Sequence, residues 1–395
     1  MTYIHRGEKS YNRAIFAILL AGLATFNCLY CTQALLPTLS HHFNLSADQA
    51  ALSISMATAA LAICVVPASV LSERWGRGRI LLISVTAAAI LSVILPLSPT
   101  FNVFIAGRFL QGMFIAGVPA VAMTWLAEEM APNDLPRAMG IYISGNSIGG
   151  LLGRIIPSIL IEWMSWHFAL LCSGLLALAC AIGMIIMLPR QRNFQPKKLT
   201  LLGETRAMIG HWKTPRLVHI FLIGFLTMGA FVSMFNYAGY HLIERFHLSD
   251  AHIGAIFLVY LMGSVTSARI GWMIDKFGRG KTLILTVLAM AIGAAITILG
   301  NLVLFLIGII LFTGGFFAAH STVSGWIGSI AKKNRAEASS TYLLCYYLGS
   351  SILGWATGHV LVAYGWGPTV LWMILMVLIA LALAFSLRHL TASKN

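Results

Sequence analysis

Charge is scarce in this 395-residue chain: Asp, Glu, Lys and Arg make up 10% of it, against 58% apolar residues. Soluble proteins average about 25% charged residues, so a water-soluble fold of this length is excluded. Acids are the scarcer sign, and none lies inside an apolar run. Glu8, Asp48, Glu73, Glu128, Glu129, Asp134, Glu162, Glu204, Glu244, Asp250, Asp275 and Glu337 all fall in loops or at the ends of apolar segments. No nucleophile–base pair and no metal-ligand constellation can be assembled, which argues against an enzyme and against a bound metal or other cofactor. The six cysteines (Cys28, Cys31, Cys64, Cys172, Cys180 and Cys345) lie in apolar segments. Cys28-Leu29-Tyr30-Cys31 has the spacing of a redox or metal pair but lacks partner ligands, so these are read as small buried residues. A cleavable leader is not expected either: Arg6, Lys9 and Arg13 precede an apolar run too long for a leader's core, with no clear small-residue cleavage site.

What the chain has in abundance is apolar segments, and its mean hydropathy is +0.85. Twelve segments approach the roughly 20 residues a bilayer requires: 14–37, 49–71, 80–97, 102–126, 137–161, 166–188, 217–240, 251–274, 282–299, 303–327, 338–363 and 366–387. The net charge of +14 would suit a polyanion, but its placement says otherwise. Apart from Arg245 in the opposite loops and Arg108, Arg154 and Arg269 within spans, every Lys and Arg falls in the tails or in alternate loops on one side. That is the positive-inside pattern, so no nucleic acid partner is expected and both termini are placed in the cytoplasm.

Glu73-Arg74-Trp75-Gly76-Arg77-Gly78-Arg79 recurs as Asp275-Lys276-Phe277-Gly278-Arg279-Gly280-Lys281 about half the chain later, each copy between two spans. The glycine permits a tight turn, and the recurrence signals a duplicated bundle. The expected order is a cytoplasmic tail 1–13, a six-helix bundle 14–188, a basic cytoplasmic linker 189–216, a second six-helix bundle 217–388 and a tail 389–395. An even number of spans per half makes the repeats parallel, and substrate is expected near the midplane between them.

Ser69 to Arg77 and Gly271 to Arg279 resemble the loop motif of the major facilitator superfamily, and the resemblance extends over nearly the whole chain. The first copy departs from it at Ser69 and Glu73, where the family has Gly and Asp. Arg108-Phe109-Leu110-Gln111-Gly112 resembles the motif that the family links to proton coupling. Gly145-Asn146-Ser147-Ile148-Gly149-Gly150 is similar to the antiporter motif, with Asn146 in place of Pro. The resemblance implies an all-α membrane protein of twelve transmembrane helices in two parallel six-helix repeats. It also implies alternating-access transport driven by a proton gradient, on the drug/proton antiporter side of the family, by a monomer in the inner membrane. Proton-coupled uptake remains the alternative within transport. A receptor or scaffold that moves no solute remains the alternative outside it.

Arginine inside a span costs about 2.5–3.5 kcal/mol on insertion scales, so it should face protein or water. Arg108, with Gln111 on its face, is read as a coupling or substrate residue, or as a structural arginine bonded to helix carbonyls. Arg154 reaches a similar depth, and the pair would favour an anionic group. Span one offers Asn27, Tyr30 and Gln33 where many of the family's drug exporters carry an acid. His320 is the histidine deep within a span and is read as a proton carrier or as structural. Asn236, Tyr240, Phe316 and Tyr346 complete the substrate set, their aromatics suiting an amphiphile or an interfacial belt. Gly145, Gly149 and Gly153 form a ridge for close helix packing, or one that lets span five slide, which places Gly145 and Gly149 among the gating residues. For the gate, Glu73, Arg74, Gly76, Arg77, Asp275, Gly278 and Arg279 come from the loop motifs. Glu128 and Glu129 after span four are set against Lys332 and Lys333 after span ten, as a closing contact or as solvated loops.

Overall fold

In a computed structural model that describes residues 3–196 and 200–387, the chain is helical almost throughout; the expected tail 389–395 lies outside the described residues. The first half runs α1 (Lys9–Tyr30), α2 (Leu36–Phe43), α3 (Ala47–Trp75), α4 (Arg77–Ile94), α5 (Phe101–Ile115), α6 (Gly117–Glu129), α7 (Leu135–Leu160) and α8 (Trp166–Met187). The second runs α9 (Leu201–His211), α10 (Pro215–Phe246), α11 (Asp250–Ile256), α12 (Leu261–Phe277), α13 (Arg279–Ile296), α14 (Leu302–Ile330), α15 (Arg335–Leu348), α16 (Gly354–Tyr364) and α17 (Trp366–Leu387).

Ten helical stretches among the described residues are long and apolar enough to cross a membrane. The more polar α7 and the α15–α16 stretch take the two remaining places in the twelve-helix order. Every backbone polar group in lipid must be satisfied within the segment, which is why apolar runs of this length fold as helices. Local chemistry sets their ends. Thr100 accepts the Val103 N–H at 3.4 Å, and Asn301 accepts those of Val303 and Leu304 at 2.9 and 3.2 Å. Pro136 and Pro215 stand in first turns, where a missing N–H costs nothing.

The described residues form two compact units: 3–39 with 56–196 and 200–203, and 40–55 with 204–387. In the first, α1 packs most extensively on α7, then on α8. Gly145, Gly149 and Gly153 of α7 make that possible, because an added Cβ would stand 2.6 Å from the Leu19 carbonyl oxygen, 2.2 Å from that of Leu23 and 2.7 Å from that of Asn27. The ridge thus lets two backbones touch. Ile4 ties the N-terminal segment to the same unit: its N–H donates to the Glu129 carbonyl at 2.8 Å, and its carbonyl accepts from Ala131 N–H at 3.1 Å. In the second unit α13 packs on α14, and α10 on α15 and α17.

The repeated loops are single-residue joints. Gly76 links α3 to α4 at φ +95°, and Gly278 links α12 to α13 at φ +77°. Only glycine enters that region without steric cost.

Candidate substrate-binding site

Span one is broken. Its first helix stops at Tyr30, a 3₁₀ turn covers Gln33–Leu35, and helix resumes at Leu36. Pro37 explains the break, since its ring would clash with the carbonyl of residue 33 and it has no N–H to donate. The break releases the last carbonyls of α1 at membrane depth, where non-helical backbone persists only if protein or water satisfies it.

Arg108 on α5 does so. Its Nη1 donates to the Cys28 carbonyl at 2.7 Å and its Nη2 to the Leu29 carbonyl at 2.6 Å. Its Nη1 also donates to Gln111 Oε1, while Gln111 Nε2 donates to the Ala88 carbonyl and to Ser92 Oγ at 2.9 and 2.6 Å. One guanidinium thereby clamps α1 to α5, and the glutamine carries the chain of bonds on to α4. Arg108 and Gln111 are fully buried. This is the carbonyl-bonded geometry of a structural arginine.

Arg154 on α7 meets the far side of the same break. Its Nε donates to Gln33 Oε1 at 2.7 Å, its Nη1 to the Gly150 carbonyl at 2.7 Å, and its guanidinium lies 3.9 Å from the centre of the Tyr30 ring. Arg154 and Gln33 are 2% exposed and Tyr30 is 7% exposed. Of the expected residues, Tyr30, Gln33, Arg108, Gln111 and Arg154 thus gather around one broken helix. Asn27 is engaged elsewhere: its Nδ2 donates to the Ser173 carbonyl at 2.9 Å and its Oδ1 accepts from Ser173 Oγ at 2.6 Å. That reciprocal pair fastens α1 to α8 and gives Asn27 a packing role in this structure.

In the second unit His320 of α14 is the centre. Its Nδ1 and the Tyr342 hydroxyl are 2.8 Å apart, with donor and acceptor set by the tautomer. The imidazole stands 4.8 Å from the Tyr346 ring, and Tyr342 and Tyr346 are one turn apart on α15. Phe316, one turn before His320, stacks on Phe231 of α10 at 3.8 Å and 10°. Tyr260, in the 3₁₀ turn between α11 and α12, closes on Phe235 at 4.7 Å. Sequence reading passed over Phe231, Phe235 and Tyr260. The one-turn spacing of Phe231 and Phe235 was the available signal, but in so apolar a span it also suits a lipid-facing surface. Asn236 is buried on α10, and the Tyr240 hydroxyl lies 2.6 Å from Ser40 Oγ. Neither belongs to the His320 cluster by any contact described.

The gate residues behave differently in the two loop copies. Arg77 is 2% exposed and donates to Glu73 at 2.5 Å, to Glu128 at 2.7 Å and to Ser72 Oγ at 3.1 Å. In the second copy Arg279 donates to Ser329 Oγ at 3.1 Å, and Asp275 is exposed. Ser329 stands 50 residues after Arg279 where Glu128 stands 51 after Arg77, so the second copy lacks the acid that completes the first. Arg74, Lys332 and Lys333 are exposed. Glu128 and Glu129, expected to make a closing contact with Lys332 and Lys333 or to lie in solvated loops, both make bonds within the first unit. Glu129 is fully buried and accepts the N–H groups of Arg192 (3.0 Å) and Asn193 (2.9 Å), while Glu128 binds Arg77. A helix-end carboxylate pairs with whatever donor the fold brings nearest, and here that is its own unit.

All twelve acids sit at helix ends or in loops, and no group of His, Cys, Asp and Glu among the described residues could hold a metal ion. A helical chain of segments long and apolar enough to cross a membrane, with polar groups buried at helix breaks, defines a multi-pass membrane protein. The model of the Major Facilitator Superfamily matches residues 15–349 and 220–395, and the chain belongs to that family. It is 40% identical to "Uncharacterized MFS-type transporter YybF" of Bacillus subtilis (strain 168), covering 97% of this chain and 95% of that protein. It is 39% identical to "Inner membrane transport protein YnfM" of Escherichia coli (strain K12), covering 96% and 91%. Among solved structures, a bacterial homologue of the human lysosomal transporter Spinster superposes with a TM-score of 0.77 at 15% identity, covering 98% of both chains. The chain is therefore a secondary transporter and not an enzyme.

Proposed function

We propose that this transporter exports small amphiphilic or anionic compounds in exchange for protons, by alternating access, as a monomer in the cytoplasmic membrane with both termini in the cytoplasm. The observation that carries the reading is the sign of the charge buried within the spans. Arg108 and Arg154 lie at one broken helix, while every acid stays at a helix end. Guanidinium in a low-dielectric site favours carboxylate or phosphate and disfavours a cationic solute. Broken helices at membrane depth are also where transporters of several folds bind substrate. The aromatic layer about His320 supplies stacking surface for an apolar body, and its imidazole nitrogens can accept or donate a proton.

Proteoliposomes with an imposed pH gradient test it. Matched amphiphiles carrying a carboxylate or an amine are offered outside, and the carboxylate should accumulate when the lumen is acid. Accumulation driven by an acid bath identifies symport instead, and preference for the amine contradicts the anionic reading.

A further inference from the structure

A cleft of 660 Å³ opens in the first unit beside the Gly76 joint, where α3 ends, α4 begins and the chain leaves α8. Arg74, Arg79, Arg190 and Arg192 line it. None of these four side chains makes a hydrogen bond or ion pair with another of the described residues, and all four are exposed. Nearby acids are committed elsewhere. Glu73 and Glu128 bind Arg77, which is not part of the lining, and Glu129 accepts backbone N–H groups. Glu8, within electrostatic reach of Arg192, accepts from Ser10 Oγ at 2.6 Å. No acid is among the residues that line the cleft, so its wall carries four positive charges.

Two further features separate this cleft from an ordinary solvated basic loop. Gln191 spans it, accepting the Gly78 N–H at 3.1 Å through Oε1, while its Nε2 is buried with no partner among the described residues. That leaves an amide donor awaiting an acceptor in a cationic site. The other walls are apolar: Trp75, 51% exposed, with Leu82, Leu188 and Phe194. The last turns of α8 leading to the cleft expose Ile185 and Ile186. Since α3, α4 and α8 are all candidate spans, the cleft sits where the spans end, at the level of lipid headgroups.

We propose that this cleft binds the phosphodiester headgroup of an anionic phospholipid, with the arginines and Gln191 Nε2 on the phosphate and the acyl chains along the Trp75–Leu188 wall. Guanidinium forks match phosphate oxygens, and basic pockets at span ends are suited to anionic headgroups. Free phosphate would satisfy the arginines but leave the apolar wall unused.

The test titrates the purified protein in non-ionic detergent with short-chain phosphatidylglycerol, counting bound lipid by native mass spectrometry. Phosphatidylcholine of the same chain length and inorganic phosphate form the other arms. Phosphatidylglycerol should bind saturably and about tenfold more tightly than phosphatidylcholine, and equal phosphate should not displace it. Arg190→Gln/Arg192→Gln and Arg74→Gln/Arg79→Gln should each weaken binding about tenfold. Lys276→Gln/Lys281→Gln, which removes the same charge from the other loop, should leave it unchanged. Equal losses in all three pairs reduce the effect to general surface charge and overturn the proposal. So does equal binding of phosphatidylcholine, and so does displacement by phosphate, which makes a free anion the occupant.

Discussion

The guanidinium of Arg154 stands 3.9 Å from the centre of the Tyr30 ring while its Nε donates to Gln33 at 2.7 Å. The cation is therefore held on both sides of the point where span one loses its helix. Cation–π contacts are worth about 0.5–2 kcal/mol, and the Tyr30 hydroxyl also interacts with the same arginine. Tyr30→Leu, which removes ring and hydroxyl, should lower transport several-fold, and Tyr30→Phe, which keeps the ring, should lower it less. Uptake rates at matched protein levels decide between them, and equal loss in both variants would move the interaction to the hydroxyl.

Arg108 should behave as a brace as well as a charge. Arg108→Ala strands the Cys28 and Leu29 carbonyls, and an unsatisfied buried polar group costs about 1–3 kcal/mol. The variant should insert, lose transport and melt several degrees lower in detergent. Arg108→Lys should not restore it, because an ammonium cannot reproduce the two-pronged contact. Normal transport by Arg108→Ala would remove this residue from the account.

The two loop copies should respond unequally. Arg77→Ala leaves Glu73 and Glu128 without their common cation, and breaking a buried pair costs about 3–5 kcal/mol. Allowing for the 22% exposure of Glu128, the melting midpoint should still fall clearly. Asp275→Asn, at an exposed position, should leave it unchanged. Equal shifts in the two variants would contradict the asymmetry.

Gly149→Ala forces a Cβ to within 2.2 Å of the Leu23 carbonyl oxygen, whereas Gly140→Ala meets nothing within 4 Å. The first should separate α7 from α1 and abolish transport; the second, on the same helix, should be neutral. Transport assays on the pair read this directly, and an active Gly149→Ala would show that the close approach is dispensable.

Much of this architecture was legible in the sequence. Apolar length marks the spans, because the bilayer fixes it, and the Gly76 and Gly278 joints stand out because few other residues tolerate their φ. The break at Cys31–Leu35 was not legible. Hydropathy averages over a window, and Pro37 near a span's end reads equally as its terminus. The pairing of Asn27 with Ser173 was not legible either, because an amide in a span can serve a ligand or a neighbouring helix, and composition does not tell which. Glu128 shows the same limit for charge: its bond to Arg77, 51 residues away, is set by the fold of its own half and leaves no mark in the sequence.

The central claim is that protons and solute move in opposite directions through a path that requires His320. The most direct measurement is solute-dependent proton release from proteoliposomes with an acid lumen, followed with a trapped pH dye. Wild-type protein should release protons as the carboxylate solute enters. His320→Gln should lose that release and its pH dependence while retaining solute exchange at equal pH. Wild-type proton release from His320→Gln, or protons entering together with the solute, would contradict the account.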